Sequence, residues 1–135
     1  MGILSREDAM TSRGKYAMIE VDVTEWGPID AEIDAETGKP EKTLVYVREL
    51  SGREKDAFES GLVSIKGRKQ KLNLEDMRAR MAVLVCCDAE GNAIFRPEDV
   101  EWLTKKSCRP LTRIYNAAKE LNDLSNEDEE ELLKN

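Results

Sequence analysis

The chain has 135 residues, the length of one domain with a core of its own. Charged residues make up 36% of it and the formal net charge is −7, which argues against nucleic acid and anionic membranes as partners. Histidine is absent, which removes the commonest general base, the histidine-dependent triads and the commonest metal ligand.

The opening MGILSREDAM carries acids early and no long apolar run, so no signal peptide is expected. Arg6 stands where N-myristoylation requires a hydroxyl residue. Ser5, with Asp8 three residues on, predicts a short capped helix over 6–11. From Tyr16 to Val23, polar and branched apolar residues alternate with the period of a half-buried strand, and Trp26-Gly27-Pro28 ends it. Residues 29–42 hold acids around Ala31, Ile33 and Ala35, then a Thr37-Gly38-Lys39-Pro40 turn signal. Alternation resumes from Thr43 to Val47, so residues 16–47 read as an antiparallel hairpin or meander. Such a pair is marginal alone and must pack on the rest of the chain.

Residues 51–122 read as helical. Ser51-Gly52-Arg53-Glu54 is a capping-box sequence, and Phe58, Leu62 and Ile65 recur at helical spacing after it. Lys66 to Lys71 reads as a basic connecting loop, without an aromatic for base stacking. Asn73 is placed to cap the next helix, with Leu72 and Met77 as a hydrophobic staple. Leu74, Met77, Met81, Leu84 and Val85 form its stripe, widened by Val83, Cys86 and Cys87 into a core helix. Asp88 to Asn92 reads as a turn, Ala93 to Phe95 as a short extended piece, and Pro97 as the first turn of a helix. Val100 and Leu103 face that helix's core side, which turns Trp102 partly outward. Leu111, Ile114, Tyr115, Ala118 and Leu121 mark a last amphipathic helix. Residues 125–135 read as an acidic tail, Glu127 to Glu131 and then Leu132 and Leu133, with too little apolar surface to order itself. The fold class expected is α+β in a single domain: an N-terminal antiparallel β element followed by a bundle of four or five helices.

Chemistry-bearing motifs are missing. The three cysteines are odd in number and make no C-x-x-C, which suits a reducing compartment and gives no zinc site. No glycine-rich nucleotide loop occurs, and the paired carboxylates sit in charge runs that read as solvated surface. No stretch approaches the roughly 20 apolar residues of a membrane span. No enzymatic activity, metal or cofactor is expected, and a protein-binding role is. Trp102, Tyr115, Leu132 and Leu133 are the candidate partner-binding residues, an exposed Trp being a good anchor.

Three stretches together resemble a known family: VYVRELSGREKDAFE (45–59), RARMAVLVCCDAEGNAIFRPEDVEWL (78–103) and KKSCRPLTRIYNAAKELNDLS (105–125). Their order and spacing are similar to the tail assembly chaperones of long, non-contractile-tailed bacteriophages and related prophages. The likeness covers roughly two-thirds of the chain, and the long stretch 29–38 departs from it. It implies a protein of the infected or lysogenic bacterial cytoplasm, absent from the mature virion, that binds the tape measure protein. That long helical rod would be kept soluble and extended while tail tube subunits polymerise around it. Contact with the major tail tube protein, self-association, and a longer product made by ribosomal frameshifting belong to the same implication. A structural tail component retained in the virion is the alternative. A small regulator that binds nucleic acid through 66–71 is a third reading, which the net charge disfavours.

Overall fold

Strand β1 (Met18–Asp22) and strand β2 (Leu44–Arg48) pair antiparallel, with Ile19 opposite Val47 and Val21 opposite Val45. The computed structural model describes residues 2–11, 16–66, 69–72 and 76–124, and of these 62–66 and 69–72 by their backbone. The register puts Val21, Val45 and Val47 on one face, where all three are buried. This is the period-two pattern turned into a core surface. A short helix, α1 (Arg6–Thr11), precedes the sheet, and the Ser5 hydroxyl accepts the Asp8 N–H at 3.1 Å as its cap.

The connection between β1 and β2 is long. A 3₁₀ turn at Thr24–Trp26 leads into residues 27–43, which double back through an isolated bridge of Ile33 with Pro40. Gly38 takes φ +69 at the tip, a conformation that costs an L side chain and not glycine. Gly27 matters for a different reason, since a Cβ there would lie 2.6 Å from Thr43 Oγ1. The stretch 29–38 thus forms part of a hairpin-like excursion within the β element.

Helix α2 (Gly52–Leu62) opens on the expected capping box: Glu54 N–H donates to Ser51 Oγ at 3.1 Å and Ser51 N–H to Glu54 Oε1 at 2.9 Å. It ends at Leu62, earlier than the apolar spacing implied. Val63–Lys66 (β3) and Lys69–Leu72 (β4) form an antiparallel hairpin. Ile65 therefore lies in a strand, and most of the expected basic loop lies in the arms of a turn-back. Val63 and Ile65 favour extended backbone, and the Gly67 that comes after them supplies a turn signal that periodicity alone does not weigh. The Asn73 cap and Leu74 lie outside the described residues.

Helix α3 (Met77–Val85) buries Ala79, Met81, Ala82 and Val85. It stops at Val85, and the two cysteines form a two-residue strand, β5 (Cys86–Cys87), antiparallel to β2. The expectation of a helix through Cys87 is corrected here: both thiols are buried, but on the sheet. The edge of β2 offers backbone hydrogen bonds that outweigh continuation of the helix. The sheet order is β1-β2-β5, with Ala93 bridging to Cys87 beyond it. Pro97–Asp99 makes a 3₁₀ turn into α4 (Val100–Leu103), which buries Leu103.

Helix α5 (Cys108–Leu121) starts three residues before the expected stripe and carries Pro110 in its first turn, where the missing N–H has no intrahelical partner anyway. Its apolar face, Leu111, Ile114, Tyr115 and Ala118, packs on α3 and on the inner face of the sheet. The fold is α+β, with a three-stranded antiparallel sheet and five α-helices among the described residues.

Candidate protein-binding surface

Trp102 projects from α4 with 45% of its surface exposed. Its position is set from several sides. The indole Nε1–H donates to Asp99 Oδ1 at 2.9 Å, and the Phe95 ring meets the indole edge-on, with centroids 5.9 Å apart. Asp99 is itself held, since its other oxygen accepts the Arg96 N–H at 2.8 Å. The Arg96 N–H first and the Trp102 indole second keep the Asp99 carboxyl below its ordinary pKa of 3.8, so it stays an acceptor. The result is a large aromatic ring presented in a fixed orientation, which lowers the entropy lost on binding. Ile94 lies close by in sequence and is also about half exposed.

The other candidates divide. Tyr115 is buried at 5% exposure, its hydroxyl 3.2 Å from Met77 Sδ and its ring under Lys119, so it is part of the core. Its place on the stripe of α5 was legible, and burial is what that stripe position means. Leu132 and Leu133 lie outside the described residues. Sequence reasoning missed a second surface. Ala57, Phe58, Val83, Leu84, Pro97 and Val100 line an apolar groove of about 380 Å³ between α2, α3 and the turn into α4. Arg53, Glu54 and Arg80 complete its wall. The residues come from three separate segments, so no local pattern could have shown it.

A cleft of about 810 Å³ lies between the 27–43 excursion and α5, lined among others by the charged residues Asp22, Glu25, Asp34, Lys39, Lys42 and Arg109. Two of its carboxylates are already in structural use. Asp22 accepts from both the hydroxyl and the N–H of Thr24, and Glu25 forms a two-pronged pair with Arg113 at 2.6 and 2.7 Å. Those partners hold both acids below their ordinary pKa values, the wrong direction for a proton donor near neutrality. Among the described residues, no group of three or more cysteine and acidic side chains could hold a metal ion.

Burial also decides the state of the thiols. It pushes Cys86 up to about 12 and raises Cys87, so neither is a thiolate at neutral pH, whereas Cys108 is exposed. No described helix is long and apolar enough to cross a membrane. Comparison with protein-family models, curated proteins and solved structures finds no match to this chain.

Proposed function

We propose that this chain is a non-enzymatic binding protein, a tail assembly chaperone that holds the tape measure protein soluble during tail tube assembly. The observation that carries the reading is the half-exposed Trp102, fixed by Asp99 and Phe95. It sits within 78–103, the longest of the stretches that resemble those chaperones. An unassembled tape measure protein presents apolar helical stripes that aggregate unless covered. A preset aromatic anchor suits such a client, and so does a surface negative enough to keep the complex in solution. The client must later be handed to tube subunits, which calls for contacts that come apart without chemistry.

Co-expression with the tape measure gene of the same genome tests the proposal. Expected are a soluble tape measure protein that co-purifies with this chain, and a loss of both with Trp102→Ala. A tape measure protein indifferent to the chain would overturn the reading. Finding the chain in purified virions would favour a structural tail component instead.

A further inference from the structure

We propose that the N-terminal arm of one copy, residues 2–11, docks in the apolar groove between α2, α3 and the turn into α4 of a second copy, so that two chains pair by exchanging arms.

Neither surface is covered within one chain. Every residue from Gly2 to Thr11 is exposed, and Ile3, Leu4 and Met10 keep 96%, 69% and 67% of their surface open. Helix α1 has six residues and buries none of them, whereas helices this short are marginal in water without a surface to pack on. Three large apolar side chains gathered in one short segment are what a partner removes from water. The groove offers a matching surface. Among its lining residues Ala57 and Pro97 are exposed and Val83, Leu84 and Val100 are half-buried, so its apolar space of about 380 Å³ is open to an occupant.

Charge favours the arm as that occupant. Glu54 in the groove wall is held by Arg48 and Ser51, and Arg80 is engaged within the fold, reaching the Gly61 carbonyl at 3.4 Å. Arg53 is exposed and has no ion pair among the described residues, which leaves one open cation at the groove. The arm carries Glu7 and Asp8 against the single cation Arg6, and neither acid has an ion pair among the described residues. An apolar segment with a surplus acid thus meets an apolar groove with an open cation.

The root of the arm lies beside the groove. The Ala17 N–H donates to Glu49 Oε1 at 2.6 Å, and the Tyr16 ring lies under Arg48, which pairs with Glu54 of the groove wall. With root and groove adjacent on each copy, a two-fold axis that sets one root against the partner's groove also does the reverse, so both arms dock together. Two short arms bury an area at the low end for protein pairs, below about 1,200 Å², and the expected dissociation constant is on the order of 10 μM.

The test uses the full chain and two variants. Ile3→Ser with Leu4→Ser alters the arm, and Ala57→Glu, an exposed helical position, alters the groove; neither touches a buried residue. In sedimentation across a concentration series, the unsubstituted chain should pass from monomer to dimer. Each variant should stay monomeric at concentrations at least tenfold higher. An equal mixture of the two variants should recover a weak heterodimer, because one intact arm then meets one intact groove. A synthetic peptide of residues 2–11 should shift the ¹H–¹⁵N amide signals of Ala57, Val83, Leu84 and Val100 in the arm variant and leave those of β1 in place. Arg53→Glu in the arm variant should weaken that peptide about fivefold, the scale of one exposed charge contact. A chain that stays monomeric at every concentration would overturn the proposal, as would a dimer that survives both substitutions. Groove signals that differ between the unsubstituted chain and the arm variant where both are monomeric would also overturn it, since the arm would then lie in its own groove. No client is present, so the outcome is independent of the tape measure experiment.

Discussion

Glu54 ties two elements of the structure together. It closes the capping box on Ser51 and takes a two-pronged pair from Arg48 at 2.9 and 2.7 Å, so it joins β2 to the start of α2. The hydrogen bonds from Arg48, then those from Ser51, hold its pKa at about 2 against an ordinary 4.5, working against partial burial. A depressed carboxylate pKa stabilises the fold above the unfolded value. That contribution is complete above about pH 5 and drains away as the pH falls from 4.5 towards 2. Glu54→Gln should cost about 1–2 kcal/mol at pH 7 and flatten the stability profile below about pH 4.5, measured by denaturant unfolding at several pH values. Trp102 predicts the opposite behaviour. Trp102→Ala should change stability by no more than about 1 kcal/mol, since the ring is only half covered, while abolishing most of the proposed client binding. Equal losses of stability and binding would make Trp102 a packing residue.

At the scale of elements, the local rules worked where a segment's neighbours agreed with it. The cap at Ser5, the box at Ser51, the alternation in β1 and β2 and the stripe of α5 all describe what formed. They failed at boundaries decided by a distant partner. Cys86 and Cys87 continue the apolar run of α3 but are claimed by the open edge of β2. Their thiols should resist alkylation in the native protein while the exposed Cys108 reacts, giving one fast equivalent and two more on unfolding. Rapid reaction of all three would show that β5 does not hold. Ile114, fully buried on α5 between α3 and the sheet, is the sharpest test of the packing. Ile114→Ala should cost about 2–5 kcal/mol, seen as a lower midpoint in thermal or denaturant unfolding.

For the whole molecule, charge and fold respond to pH separately. Net charge vanishes near the sequence pI of about 4.8, where self-repulsion is lost and solubility should be lowest. Glu54 remains ionised there, so the protein that precipitates should be folded and redissolve with native circular dichroism at pH 7. Denatured precipitate would mean that the Arg48–Glu54 pair contributes less than its geometry implies. Long-range ties complete the fold. Arg113 joins α5 to Glu25 and to the Asp22 carbonyl, and the Trp26 indole donates to the Ser107 carbonyl at 3.2 Å. These contacts close the 3₁₀ turn after β1 against the last helix.

The α+β class, the capped helix starts and the partly outward Trp102 were determined by the sequence itself. Each depends on residues within a turn or two of one another, where spacing alone states the physics. The two cysteines' place on the sheet and the apolar groove were decided only by tertiary structure. In each of these, the environment that matters comes from a segment that local spacing does not reach. Periodicity records which side of an element is apolar, but not which neighbour will cover it or which surface will be left open.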